Sequence, residues 1–247
     1  NYFIINSFFN FNKKNFKKNN IRSKGEILIE FNAFQPDHIF FSFLSNILSK
    51  KYNAKIKAYY AYSLIVTPLK FTFLRKLKWF FGLKFGLATW KIYRSFNAEK
   101  IFYPEITKEI EIIAAKKFKK LSKKIKFKKD IEKIKIENIL FGDLIYDSYL
   151  RKYAKPTINY KEKEFKIFLF EFIKLTYFWI NYFNENDVKA VVASHYCYTY
   201  GIPLRISTGK NIESYTVDTD VVTKLNKNYT NQWICHHNYR KIFKKLT

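Results

Sequence analysis

The residues best placed for chemistry are polar side chains that follow short apolar runs. In open α/β sheets ligands sit beyond the carboxyl ends of the strands, so a strand-like run that hands over to polar residues marks a candidate site. Three such stretches occur. Asn32, Gln35, Asp37 and His38 follow the run 26–31, Ser194, His195, Tyr196 and Tyr198 follow a later one, and Asp218, Thr219 and Asp220 follow the last. His195 is the sharpest of these, since a histidine just past a buried strand is positioned for general-base work. The same residues also read as an ordinary hydrogen-bonded histidine. A fourth group comes from spacing: Asp143, Asp147 and Arg151 recur every fourth residue and share one helical face.

Each group has a plainer structural reading. Asp37 is suited to cap a helix, and His38 to cover its first turn. Asp143 could open its own helix, and Asp147 with Arg151 could form an i,i+4 ion pair of ~0.2–0.5 kcal/mol. His236 and His237 stand side by side without further ligands, which makes a poor metal site, and no metal or other cofactor is expected. Asp218-Thr219-Asp220 matches the acidic DxD pattern of metal-dependent sugar transferases, but only over three residues. GxGxxG after the first strand, GxxxxGK[ST], GxSxG and HExxH are all absent, which argues against a dinucleotide enzyme, a P-loop NTPase, a serine hydrolase and a zinc protease.

These residues need elements to hold them. The run 26–31 is β-branched and reads as a strand, 37–51 has apolar residues at helical spacing, and 54–60 reads as a second strand. That is a βαβ unit with parallel strands and a right-handed crossover. Further on, 69–96 predicts one amphipathic helix, 100–103 a strand and 105–126 a basic helix. The stretch 137–149 is punctuated by Gly142 and Asp143, and 162–184 predicts a long helix with an aromatic core stripe. Strand 189–194, helix 200–209 and strand 212–217 close the pattern. The fold class is therefore α/β, a Rossmann-like parallel sheet with helices on both faces. Positions 1–24, rich in Asn, Lys and Phe, read as a loose leader, 25–218 as the folded domain, and 219–247 as a tail or linker.

The 247 residues carry a net charge of +26 and an aromatic content of 20%. Lysines neutralise phosphates and rings stack on bases, so a nucleic-acid-binding protein using 116–129 is one reading. The enriched residues Lys, Asn, Ile, Phe and Tyr are all served by A/T-rich codons, however, and that bias discounts nucleic acid as the main partner. A cationic surface still favours anionic lipid headgroups or phosphate-bearing substrates. Cys197 and Cys235 form no CxxC motif, which suits a reducing cytoplasm, and no apolar stretch reaches the length of a spanning helix. Methionine is absent, the first residue included, as expected of a piece of a longer chain.

Three segments carry a family resemblance. Glu26-Ile-Leu-Ile-Glu-Phe-Asn32, then Phe141-Gly-Asp-Leu-Ile-Tyr-Asp-Ser-Tyr-Leu-Arg151 with Pro156-Thr-Ile158, then Val188-Lys-Ala-Val-Val-Ala-Ser-His195 with Tyr200-Gly-Ile202, resemble the amino-terminal half of bacterial capsule or surface-polysaccharide glycosyltransferases. The resemblance spans about 25–233 and is most specific at Gly142–Arg151. It implies a GT-B arrangement, with two Rossmann-like domains across a cleft, a glycan acceptor on this one and a nucleotide-sugar donor on a second domain beyond Thr247. It implies metal-independent transfer, with His195 or Asp143 as base and Arg151, Tyr198 and Asn32 positioning the acceptor; Gln35, His38, Asp147 and Ser194 complete the expected substrate-binding set. The 247-residue piece alone is then expected to be inactive. Basic helices with Trp79 and Phe80 at their apolar edge would rest on the inner face of the cell membrane. A non-catalytic subunit or remnant of polysaccharide assembly is the further alternative.

Overall fold

Six strands form one sheet in the order β3-β2-β1-β6-β7-β8. The computed structural model describes residues 2–16, 25–31, 35–62, 64–65, 72–86, 88–217 and 221–227, with side chains at all of these except 2–5, 35–38 and 88. β1 (Glu26–Glu30) is buried along its whole length and pairs in parallel with β2 (Lys55–Tyr59) on one side and β6 (Val188–Ala193) on the other. β3 (Ala98–Phe102) extends the sheet beyond β2, and β7 (Glu213–Val217) extends it in parallel beyond β6. The order reverses between β1 and β6. That is the topological switch point, where neighbouring crossovers leave in opposite directions and open a crevice.

The helices follow from this reversal. α2 (Gln35–Tyr52) joins β1 to β2 in one direction, whereas α9 (Ile202–Gly209) joins β6 to β7 in the other. Right-handed crossovers running opposite ways place the two helices on opposite faces. α8 (Lys163–Glu185) shares the face of α9 and carries the expected core stripe, with Phe165, Phe168, Phe172 and Trp179 buried. Its Trp179 meets Tyr59 edge-on at 4.8 Å, and its Tyr182 hydroxyl donates to Glu26 at 2.7 Å. α5 (Lys108–Lys124), capped by Thr107, packs outside α8 and turns its lysines to solvent.

Four sequence expectations change. The stretch 69–96 is two helices, α3 (Phe73–Phe85) and α4 (Ala88–Ser95), because Gly86 takes a left-handed conformation (φ 62°) that ends α3. α2 begins at Gln35, so Asp37 lies in its first turn and does not precede it. The leader contains a helix, α1 (Tyr2–Asn15), that docks on α4: the buried Asn12 amide donates to Ser95 Oγ at 2.9 Å, and Lys91 donates to Asn6 at 3.1 Å. The sheet also runs past position 218. β8 (Val222–Leu225) pairs antiparallel with β7, and Leu225 is buried. Both misreadings at the ends have one cause: a short segment is ordered by tertiary contacts that its own periodicity does not announce.

The β3-to-β6 crossover holds the remaining pieces. These are α6 (Lys128–Glu132), the hairpin of β4 (Lys135–Ile136) with β5 (Ile139–Leu140), and α7 (Gly142–Tyr153). Glu137 and Asn138 both take positive φ, as a two-residue hairpin turn requires. α7 starts against α6 so closely that a Cβ on Gly142 would lie 2.1 Å from the Glu132 carbonyl oxygen, so only glycine fits there.

Candidate functional site

The carboxyl ends of β1 and β6 hold a chain of three side chains. Glu30 is the last residue of β1 and is buried. Its Oε2 accepts two hydrogen bonds of 2.7 Å, from the backbone N–H and the hydroxyl of Ser194, the first residue beyond β6. Ser194 is buried as well, and its Oγ lies 2.7 Å from Nδ1 of the exposed His195. A serine hydroxyl has one proton, and here it goes to Glu30. With Glu30 ionised, Ser194 Oγ is left to accept, an arrangement that suits the His195 tautomer carrying its proton on Nδ1. The order is carboxylate, hydroxyl, imidazole. The imidazole is thus the surface end of the chain, and the hydroxyl is a buried connector.

The loop after β6 is tightly determined. It runs through a 3-10 turn (Tyr198–Gly201) into α9. Tyr198 sits at φ 55°, a strained backbone for a bulky residue that costs on the order of 1–2 kcal/mol and recurs at ligand-binding loops. Thr199 ties the loop to the segment after β2: its hydroxyl donates to the Tyr62 carbonyl at 2.8 Å and accepts from Leu64 N–H at 3.2 Å. Gly201 allows the chain to fold back, since a Cβ there would come within 1.9 Å of the Tyr196 carbonyl oxygen. The Tyr200 ring faces the His195 ring with centroids 5.7 Å apart.

Beside this loop lies an open depression of about 450 Å³ lined by Asp147, Leu150, Arg151, Ala154, Lys155 and Tyr198. It brings together Asp147 and Arg151 from α7 with Tyr198 from the loop, which the sequence had suggested as members of two separate segments. Arg151 and Asp147 form no ion pair with each other among the described residues. Burial, then the charge of Asp143 one turn away, pushes the Asp147 pKa above the ordinary aspartate range. Burial also raises the Cys197 thiol, and the charges of Asp147 and Glu30 add to this. Burial pushes the neighbouring Tyr196 up to about 12.

Asp143 is engaged elsewhere. Arg205 of α9 holds it with two hydrogen bonds, Nη1 to Oδ1 at 3.1 Å and Nη2 to Oδ2 at 2.6 Å, and also donates to the Leu140 carbonyl at 3.0 Å. The pair locks α7 against α9, and the relay does not include it. Asn32 lies outside the described residues, as do Asp218, Thr219, Asp220, His236 and His237, and the side chains of Gln35, Asp37 and His38 do so too. Glu30, Thr199 and Arg205 were not anticipated as contributors. Only Glu30 had a signal: a glutamate closing an otherwise apolar strand must be satisfied by a partner. No group of three His, Cys, Asp or Glu among the described residues could hold a metal ion. No protein-family model matches the chain, and no curated protein or solved structure shows significant similarity to it.

Proposed function

We propose that this domain is the acceptor-side half of a two-domain sugar transferase of surface-polysaccharide assembly, with His195 as the base. The observation that carries the reading is the Glu30–Ser194–His195 chain at the switch point, which ends on an exposed imidazole. In the proposed step an acceptor hydroxyl gives its proton to Nε2 while its oxygen attacks the anomeric carbon of a nucleotide-sugar. The bond from that carbon to the nucleoside diphosphate breaks, and the diphosphate leaves with the electron pair. Glu30, acting through Ser194, stabilises the imidazolium that forms.

The adjacent depression suits a glycan acceptor. Sugar hydroxyls both donate and accept, and Asp147, Arg151 and Tyr198 together offer both functions beside one aromatic ring. The donor site belongs, in this reading, to a second domain across the crevice, so the chain by itself binds acceptor without transferring sugar.

The test pairs the gene product that includes such a second domain with nucleotide-sugars and soluble oligosaccharide acceptors. Transfer should fall about 10²- to 10⁴-fold in His195→Ala, with KM for the acceptor little changed. Arg151→Ala should raise the acceptor KM and spare kcat. Full activity in His195→Ala would refute the assignment of the base. Absence both of transfer by the gene product and of oligosaccharide binding by this chain, followed by saturation-transfer NMR, would refute the function.

A further inference from the structure

The described helices include none long and apolar enough to cross a membrane, yet one presents an apolar face to the outside. α3 is anchored on its inner side, where Trp79 is buried and Gly82 lies so close to the Trp90 ring that a Cβ would come within 2.6 Å of it. The sequence expectation that Trp79 would face a membrane is therefore revised: Trp79 is core, against Phe31, Tyr60 and Tyr103. The outer side is different. Phe73 is 75% exposed, Leu74 76%, Phe85 61%, and Phe80 and Phe81 are also exposed. At positions 73, 74, 80, 81 and 85 they recur with helical spacing along one stripe.

The stripe is bordered by cations. α3 carries Arg75, Lys76, Lys78 and Lys84, and Lys84 lies 5.6 Å from both the Phe80 and Phe85 rings. α3 and the adjoining α4 together carry six Lys or Arg and no Asp or Glu. An exposed aromatic stripe on a helix whose own charges are all positive matches a surface that is apolar beneath and anionic on top.

We infer that α3 is an interfacial helix that docks the domain on an anionic lipid bilayer, with Phe73, Leu74, Phe80, Phe81 and Phe85 entering the headgroup region and Lys76, Lys78 and Lys84 meeting lipid phosphates. Its position gives this consequence for the site. Phe31, Tyr60 and Tyr103, on which Trp79 packs, are the first residues past β1, β2 and β3, so α3 lies over the edge of the sheet that holds Glu30 and His195. If the sugar-transfer reading holds, the acceptor is one carried on a lipid and presented at the bilayer surface.

Vesicle co-sedimentation of the 247-residue chain tests this without reference to activity. The chain should pellet with phosphatidylcholine vesicles containing phosphatidylglycerol and far less with phosphatidylcholine alone. The double variant Phe80→Ser/Phe85→Ser should lower partitioning about tenfold or more, and Lys76→Glu/Lys84→Glu should remove the preference for the anionic lipid. Because the replaced side chains are exposed, both variants should keep the wild-type circular dichroism. Charge reversal on α5, Lys116→Glu/Lys119→Glu/Lys123→Glu, should leave most binding in place. The inference is overturned if the α3 variants bind like wild type, or if the α5 variant alone abolishes binding. It is also overturned if light scattering shows a dimer that the α3 variants dissociate, because the face would then belong to a second copy. His195→Ala should bind vesicles normally, which separates this outcome from any failure of the catalytic reading.

Discussion

Glu30 and Glu213 stand at strand ends on opposite edges of one sheet, and the chain treats them differently. Glu213, the first residue of β7, meets Lys51 at 2.9 Å and Lys224 at 2.6 Å, and the Tyr215 hydroxyl donates to it at 3.1 Å. Burial pushes its pKa up, but hydrogen bonds from these groups and Tyr52 outweigh that and hold it down to about 2. Glu26, at the same edge of β1, likewise has Lys57 and Tyr182. These carboxylates are neutralised in place and hold elements together. Glu30, at the other edge, passes its charge through a buried hydroxyl to an exposed imidazole. At the amino edge the carboxylates bind elements together, and at the carboxyl edge one of them ends a hydrogen-bonded chain that reaches the surface.

The largest effect should come from removing Glu30. Glu30→Ala leaves the buried Ser194 N–H and hydroxyl without their acceptor, which should cost about 3 kcal/mol in denaturant unfolding. Glu30→Gln keeps the volume and should cost roughly half as much, yet still depress transfer because its amide lacks the charge. If Glu30→Ala unfolds at the wild-type denaturant midpoint, the relay is not a structural unit and the contrast fails.

Next is the loop that carries the relay. Gly201→Ala forces a Cβ into the Tyr196 carbonyl and should destabilise by about 2 kcal/mol, with loss of oligosaccharide binding. Wild-type stability in that variant would show that the loop is not held as described.

The third effect sharpens the other side of the comparison. The stability that Glu213 supplies is fully present above the ordinary glutamate range, about pH 4.3, and is lost as pH falls toward its folded value. Glu213→Gln should therefore flatten the decline in Tm between about pH 4.3 and 2 while lowering Tm at neutral pH. The smallest effect concerns Asp147, whose raised pKa means that the fold disfavours its charged form, so that its contribution improves as pH falls. Asp147→Asn should raise Tm at neutral pH on the order of one degree, as measured by calorimetry.

How much of this was legible follows from the range of the interactions. β1, β2, β6 and β7 are short β-branched runs, and α8 is a long apolar stripe, so local pattern finds them and with them the sheet. The rule that ligands gather past strand ends then locates Ser194, His195 and Tyr198. The relay itself joins residues 164 positions apart, and the Asp143–Arg205 pair spans 62, so neither leaves a local trace. The positive φ of Tyr198 is imposed by the fold of the loop around Gly201 and Thr199, against the preference of tyrosine. α1 and β8 are ordered by docking, and Gly86 breaks a helix whose hydrophobic spacing continues straight through it.

The most direct test of the relay is the tautomer of His195, read from long-range ¹⁵N–¹H correlations at a pH where the ring is neutral, with His195→Gln to assign the signal. The account predicts a proton on Nδ1, an unprotonated Nε2, and a shift toward mixed tautomers in Ser194→Ala. A proton on Nε2 in the wild-type chain would mean that Ser194 donates to the imidazole, and the proposed base would have no lone pair to offer.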